Sequence, residues 1–312
     1  MENKTFSDLY PSLEQPLDKD QISSKFPDMQ AQDLRKYEYY EQSEIDYADA
    51  SSVIGNRKTM EDTYKIAKIG NIDFFAVYDG HGGWQISVLL KHNFYKKFTS
   101  LLNIDFLDSG KIKREILEIC LEVGKEIFEI SDCFRVGSTA IFALRKERHI
   151  YIGNIGDSTC IIFDSEGTIV LKTKGHKASD QDEINRIEMR GGFVCMKRVN
   201  GMLAVSRSFG DNHLNVDKEK TYKGFDTVVT HQPTFYTYEL PEKSGKTYHM
   251  VLGSDGLWDN CDFNNNEHSV FKFSQVVEAV LSETPRDASK KIVDLALRTY
   301  INDNITAVVV NL

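Results

Sequence analysis

Short apolar runs recur along most of the chain and alternate with polar turns. Each run is rich in β-branched or aromatic residues and ends near Gly, Asp or Asn, which is typical of β-strands. The segments at 146–149 and 164–167 are short enough for hairpin loops, which favours antiparallel pairing. The predicted strands are 64–69, 74–78, 138–144, 150–155, 159–163, 168–171, 234–240, 249–252 and 305–310.

Helical periodicity occurs in pairs before and after these strands. Apolar residues three or four positions apart, such as Ile112, Ile116 and Ile119, indicate one helix at 111–130. Strands in the middle of the chain and helix pairs on either side predict an α+β domain in which helices cover packed sheets. The other predicted helices are 84–102, 179–189, 274–281, 286–300 and a short segment within 30–40.

Composition indicates a soluble globular protein. The 312 residues are 41% hydrophobic and 27% charged, and no apolar run approaches the roughly 18 residues of a membrane span. The first residues are acidic and polar, unlike a secretory signal. The five cysteines are odd in number and never spaced as C-x-x-C, which predicts reduced, buried thiols in the cytosol or nucleus and argues against a thiolate zinc site.

Charge separates the start of the chain from the rest. The net charge is −9, and residues 1–50 carry twelve acidic and five basic side chains. The remainder is nearly neutral and has no basic stripe, so nucleic acid is not expected as a partner. We predict that residues 1–43 are a flexible or loosely attached acidic extension, a solvated segment rather than a regulatory arm, and that 44–312 form the folded domain.

Aspartates follow or precede several of the predicted strands. Asp79, Asp157 and Asp255 follow apolar runs, Asp259 comes four residues after Asp255, and Asp303 precedes the last run. A single Asp-Gly is most often only a turn. Repetition at strand ends brings carboxylates together, however, and converging carboxylates repel one another unless a cation lies among them. An all-oxygen site favours Mg²⁺ or Mn²⁺ over zinc.

The charged segment 55–62 supplies further groups for such a site. The planar guanidinium of Arg57 matches a phosphate, and Glu61 or Asp62 adds oxygens that face a metal. Short motif blocks, including this segment and the strand ends that carry the aspartates, follow one another along the chain. They are 55–62, 74–83, 137–140, 153–158, 176–177, 191–192, 199–211, 254–259 and 303–304. In these blocks, and above all in 198–211, the sequence resembles the metal-dependent (type 2C) Ser/Thr protein phosphatases.

The resemblance implies a fold and a metal centre. The fold is a four-layer α/β/β/α sandwich, with two central antiparallel sheets flanked by helix pairs. Two Mg²⁺ or Mn²⁺ ions are implied, with Asp79 bridging them. Glu61 and the Gly80 carbonyl would complete the protein ligands of one ion, and Asp255 and Asp303 would hold the other.

A weaker third ion is also implied by the resemblance. Asp157 and Asp259, together with Asp255, correspond to its ligands. The chain departs from the family pattern at Gly175 and Ala178, where Asp and Pro are common. Neither position is a predicted ligand, so the departure concerns the geometry of the loop.

The resemblance further implies direct hydrolysis of phosphoserine and phosphothreonine in proteins. A hydroxide bridging the two ions would attack phosphorus, and Asp62 would hydrogen-bond to metal-bound water. Arg57 would clamp the phosphate, and His81 would protonate the leaving alkoxide as general acid. A monomer is expected, with no membrane partner. A catalytically inactive scaffold and a phosphatase of small metabolites are the alternatives.

Overall fold

Two five-stranded antiparallel sheets form the centre of the molecule. The structure is a computed structural model that describes residues 4–215 and 221–312. The first sheet contains, in spatial order, β1 (Ala48–Val53), β15 (Ile305–Asn311), β14 (Tyr248–Gly253), β8 (Thr159–Asp164) and β9 (Ile169–Lys172). The second contains β13 (Thr234–Glu239), β7 (His149–Ile155), β6 (Ala140–Lys146), β3 (Ile72–Tyr78) and β2 (Thr63–Ile69).

The central strands are apolar on both faces because each sheet is covered twice. In β3, Phe74 and Ala76 pack toward the helices, whereas Phe75 and Val77 pack between the sheets. Successive side chains of a strand point to opposite faces, so two covered faces require an unbroken apolar run. The predicted four-layer sandwich is thus confirmed.

Helices form the two outer layers. On the second sheet lie α4 (Gln85–Leu89), a π-helical turn (Leu90–Phe94), α5 (Tyr95–Lys97), a 3₁₀ segment (Phe98–Asn103) and α6 (Ser109–Phe128). On the first sheet lie α10 (Phe273–Ser282) and α11 (Pro285–Leu297). Local signals set the helix starts: the Asp108 side chain accepts from the Lys111 amide, and Pro285 begins α11.

Smaller elements complete the described chain. The N-terminal helices are α1 (Phe6–Leu9), α2 (Lys19–Lys25) and α3 (Ala31–Leu34). A three-stranded sheet is formed by β12 (Phe209–Gly210), β5 (Gly137–Ser138) and β4 (Gly80–His81), and a two-stranded one by β10 (Val194–Cys195) and β11 (Arg198–Val199). Three short helices are α7 (Gln181–Met189), α8 (Asn212–Asn215) and α9 (Asp255–Trp258).

Local prediction was wrong at several points. Strand β1 was missed because its sequence is polar, and its buried Ser52 is satisfied by a hydrogen bond of 2.7 Å with the Thr306 hydroxyl. In the segment 30–40, only Ala31–Leu34 is helical, and Glu38 pairs with Val53 instead. Cys195, expected to be buried, is exposed, while the other four cysteines are buried.

The segment before residue 44 contacts the folded domain in the described part of the chain. Phe6 is buried against Trp84, and Ile22 is buried against Ile54 and Met60. The Lys19 amide donates to the Lys58 carbonyl at 3.0 Å. The flexible attachment predicted for 1–43 and the boundary at residue 44 stay predictions; residues 1–3 lie outside the described range.

None of the helices within 4–215 and 221–312 combines the length and apolar composition that crossing a bilayer requires.

Candidate active site

The topology brings the predicted carboxylates to one edge of the sandwich. Strands β3 and β7 both pair with β6 in antiparallel fashion, so they end at the same edge, where Asp79 and Asp157 follow them. Strand β14 ends at Gly253, two residues before Asp255, and its antiparallel neighbour β15 begins just after Asp303. Each sheet therefore contributes two aspartates to the same region between the sheets.

Three of these aspartates form a compact cluster. One carboxylate oxygen from each of Asp79, Asp157 and Asp255 lies within 4.8 Å of the other two. Burial raises the pKa of Asp79 and of Asp255 well above the ordinary value, and the neighbouring aspartates raise both further. Ionised together without a cation, these groups destabilise the folded state.

The donor set fits a divalent cation that prefers oxygen. Asp157 Oδ1 is buried and finds no hydrogen-bond partner among the described residues. A buried carboxylate oxygen without a partner is costly, and coordination to a cation would satisfy it. Burial raises the pKa of Asp157 to about 6, and a bound cation would favour the ionised form of this carboxylate.

Asp62 lies behind this cluster and is fully enclosed. Its carboxylate accepts a hydrogen bond of 2.8 Å from the Thr306 hydroxyl. Burial, together with the negative charge of Asp303, raises the pKa of Asp62 to about 7. The structure thus places Asp62 beside the acidic cluster, where its charge acts on Asp79 and Asp255.

Glu61 and Gly80 are held against each other. The Glu61 amide donates to Asn304 Oδ1 at 2.8 Å, which ties this loop to the start of β15. A Cβ on Gly80 would lie 2.4 Å from the Glu61 carbonyl oxygen, so only glycine allows this approach. Burial raises the pKa of the Glu61 carboxyl. Glu61 is outside the three-aspartate cluster but close enough to influence His81 electrostatically.

Two other predicted metal ligands, Asp303 and Asp259, form salt bridges with basic side chains. Arg57 Nη2 lies 3.0 Å from Asp303 Oδ2, and its Nε donates to the Asn302 carbonyl at 2.8 Å. Lys177 Nζ lies 2.9 Å from Asp259 Oδ1. The predicted phosphate clamp and one predicted metal ligand are therefore bonded to each other, and sequence reasoning did not foresee either pair.

His81 has a buried partner to which the sequence analysis assigned no role. His81 Nε2 lies 2.6 Å from Asp211 Oδ2. Burial lowers the pKa of His81, but the adjacent Asp211 carboxylate outweighs that effect and the net shift is upward. The available signal was the position of Asp211 at the end of the specific block 199–211.

Comparison with known proteins agrees with this geometry. Residues 48–305 match the family described as "Protein phosphatase 2C". The chain is 33% identical over 273 residues to "Probable protein phosphatase 2C 45" of Oryza sativa subsp. japonica, covering 85% of this chain and 86% of the relative. It is 30% identical over 276 residues to "Protein phosphatase 2C homolog 1" of Saccharomyces cerevisiae, covering 81% and 88%.

Solved structures show the same fold. A phosphatase from Toxoplasma gondii superposes with a TM-score of 0.69 at 21% identity, covering 85% of this chain and 92% of that one. A serine-threonine phosphatase 2C, also from Toxoplasma gondii, gives 0.65 at 20% identity, covering 88% and 98%. Since the relatives share the sequence over most of their length and the solved structures share the layered fold, the chain belongs to the protein phosphatase 2C family, a family of metal-dependent hydrolases.

Proposed function

We propose that this chain hydrolyses phosphoserine and phosphothreonine in proteins, using Mg²⁺ or Mn²⁺. The observation that carries the proposal is the cluster of Asp79, Asp157 and Asp255, whose oxygens converge within 4.8 Å although their like charges repel. Such an arrangement is stable in its ionised form only around a cation. The matching family and the similar relatives are described as protein phosphatases, which supports phosphorylated proteins as the substrate class.

The proposed ligands are those that the family resemblance implies. Asp79 would bridge two ions, with Glu61 and the Gly80 carbonyl on one side and Asp255 with Asp303 on the other. Asp157 and Asp259 would join Asp255 at a weaker third ion. When bound, the ions would acidify the attacking water and offset charge on the phosphoryl oxygens.

The remaining roles belong to side chains of this protein. Arg57 has a half-exposed guanidinium at the edge of the cluster, from which it would bind the phosphoryl oxygens of a substrate. Asp62, buried behind the cluster, would accept a hydrogen bond from water in the site and hold it for attack. His81 would give a proton to the departing Ser or Thr oxygen, a contribution of about 10²–10⁴ in rate.

The cellular setting is also proposed here. Five free thiols, four of them buried, suit the reducing cytosol or nucleus. A monomer that acts on phosphorylated proteins, without nucleic acid or membrane as partner, stays the expectation from sequence.

A phosphothreonine peptide assay with and without Mn²⁺ or Mg²⁺ tests the proposal. Turnover is expected only with added metal, and excess chelator is expected to abolish it. Undiminished turnover in chelator would refute the metal mechanism. No turnover in any metal, with the peptide still bound, would favour the inactive-scaffold alternative, and preference for small phosphate esters over every peptide would favour the metabolite phosphatase.

A further inference from the structure

A three-stranded sheet brings His81 and Asp211 to either side of one glycine. In this sheet β5 is the central strand, with His81 opposite Gly137 on one edge and Gly210 opposite Gly137 on the other. Asp211 follows Gly210 directly. A Cβ on Gly137 would lie 2.2 Å from Asp211 Oδ2 and 2.4 Å from His81 Nε2, so the absent side chain is what lets the two groups meet.

Asp211 is held rigidly in this position. Its side chain is 2% exposed, its backbone amide donates to the Val136 carbonyl at 3.0 Å, and the Ser208 hydroxyl donates to Oδ2 at 2.6 Å. Its φ of +51° lies in the left-handed region, which a residue other than glycine adopts at an energetic cost. The surrounding contacts therefore maintain a strained backbone that aims the carboxylate at His81.

The contact distinguishes the two nitrogens of the His81 ring. Because Asp211 accepts from Nε2, the proton of the neutral ring is kept on Nε2 and the ring is fixed in one orientation. Nδ1 makes no hydrogen bond within residues 4–215 and 221–312, so this nitrogen is open to a substrate. The ring lies close enough to Glu61 and Asp157 for their charges to act on it, so it borders the acidic cluster.

We infer that Asp211 is a positioning residue, which orients His81 so that Nδ1 delivers the proton to the leaving oxygen. The inference rests on the proposed function. As water oxygen bonds to phosphorus, the bond from phosphorus to the Ser or Thr oxygen breaks and its electron pair stays on that oxygen. The ring starts as imidazolium, gives its Nδ1 proton to that oxygen and becomes neutral, keeping its Nε2 proton in the bond to Asp211 until solvent restores the proton on Nδ1. The protons of the attacking water stay on the phosphate product until solvent takes one up.

Two substrates with different leaving groups test this role. A Ser or Thr alkoxide needs a proton as it leaves, whereas the nitrophenolate of p-nitrophenyl phosphate leaves readily without one. Asp211→Asn is expected to lower kcat on a phosphothreonine peptide about 100-fold, near the lower limit of what a general acid contributes, and to change kcat on p-nitrophenyl phosphate less than 5-fold. Equal losses on both substrates would overturn the inference.

Asn suits the test because it tolerates left-handed backbone and preserves the shape of the site. In the His81→Ala background, Asp211→Asn is expected to have no further effect on peptide kcat, because a residue that acts through His81 has nothing left to position. An additional loss of 10-fold or more would contradict the inference. Wild-type protein that hydrolyses neither substrate with Mn²⁺ would instead refute the proposed function, and with it this role.

A measurement independent of activity uses the nitrogen NMR signals of His81 in metal-free protein. At alkaline pH, where the ring is neutral, wild-type protein is expected to carry the proton on Nε2 alone, and Asp211→Asn is expected to show a mixture of tautomers. A proton on Nδ1 in the wild-type protein would contradict the assignment. Gly137→Ala, which inserts a methyl group between the partners, is expected to reproduce the selective loss on the peptide.

Discussion

At the residue scale, the acidic cluster that suits the protein for catalysis also lowers its stability when no cation is bound. Asp79, Asp157 and Asp255 repel one another when they are ionised. Burial raises the pKa of all three, and neighbouring aspartates raise the pKa of Asp79 and Asp255 further. Residues suited to holding a cation therefore weaken the cation-free protein, a cost that functional sites commonly carry.

Asp79→Asn should separate these two effects. We expect the variant to lose nearly all phosphatase activity, at least about 1000-fold, because a central ligand becomes neutral. In excess chelator at pH 7 it should be more stable than wild type by about 1 to 3 kcal/mol, because folding no longer has to bury the Asp79 carboxylate among like charges or protonate it. Denaturant unfolding with and without Mn²⁺ measures this, and Asp105→Asn, at an exposed position outside the acidic cluster, is the control. Lower stability of Asp79→Asn in chelator would contradict the argument.

Arg57 offers a second prediction at this scale. Its guanidinium is half exposed and already ordered by Asp303 and the Asn302 carbonyl, so it is preorganised to receive a phosphate. Arg57→Ala should lower kcat/KM about 10- to 100-fold, mainly by raising KM, and Arg57→Lys should recover only part of this because it lacks the planar fork. Steady-state kinetics on one phosphopeptide checks both variants. Unchanged kcat/KM in Arg57→Ala would show that the clamp is assigned wrongly.

At the scale of elements, helix α2 connects the N-terminal segment to the loop that carries Arg57 and Glu61. Ile22 is completely buried against Ile54 and Met60, and the Lys19 amide is bonded to the Lys58 carbonyl. These contacts fix the α2 segment directly against the loop at 55–62. Loss of the α2 contacts would therefore disturb the loop that carries Arg57 and Glu61 and would also lower the free energy of unfolding.

Ile22→Ala tests whether the segment is part of the folded unit. If α2 unfolds together with the domain, the free energy of unfolding should fall by about 2 to 4 kcal/mol, the cost of a large-to-small change in a core. Leu107→Ala, at a side chain that is largely exposed, should change it by less than about 0.5 kcal/mol. Equal stability of Ile22→Ala and wild type would instead support the loosely attached extension predicted from sequence.

At the scale of the whole molecule, a buried histidine makes the fold sensitive to acid. His231 stacks on Phe209 and Tyr222 and is 6% exposed, and burial lowers its pKa to about 3. The unfolded chain, with a histidine pKa of about 6.5, binds a proton before the folded protein does. Stability from this residue is therefore complete above pH 6.5 and declines as the pH falls from there toward 3.

His231→Gln should flatten that decline. Between pH 6.5 and 4.5, the stability of the wild type should fall relative to the variant by up to about 1.4 kcal/mol per pH unit. The difference between the two proteins isolates His231, since the aspartates of the site titrate alike in both. Urea unfolding in excess chelator across this range measures it. A difference that stays constant with pH would contradict the buried neutral histidine.

Much of the architecture was predictable because its signals are local. The strand pattern, the helix periodicity and the two hairpin loops each depend on residues within a few positions of one another. Strand β1 was not predictable, because it buries the polar residues Ser51 and Ser52. Their hydroxyls are satisfied by hydrogen bonds with Glu38 and Thr306, and neither bond can be read from the local sequence of the strand. The family could be recognised from the order of the sequence blocks along the chain, because that order does not depend on three-dimensional distances.

The layered α+β fold, the family and the acidic residues at the strand ends could all be identified from sequence patterns. Which side chains contact one another became clear from the three-dimensional fold alone: Asp157 with Asp79 and Asp255, Arg57 with Asp303, Lys177 with Asp259, and His81 with Asp211. Each of these contacts joins residues at least about 75 positions apart, and a difference of one or two ångströms separates an ion pair from two independent charges. Distances on that scale arise from the way sheets and loops that are remote in sequence pack together, which no local pattern encodes.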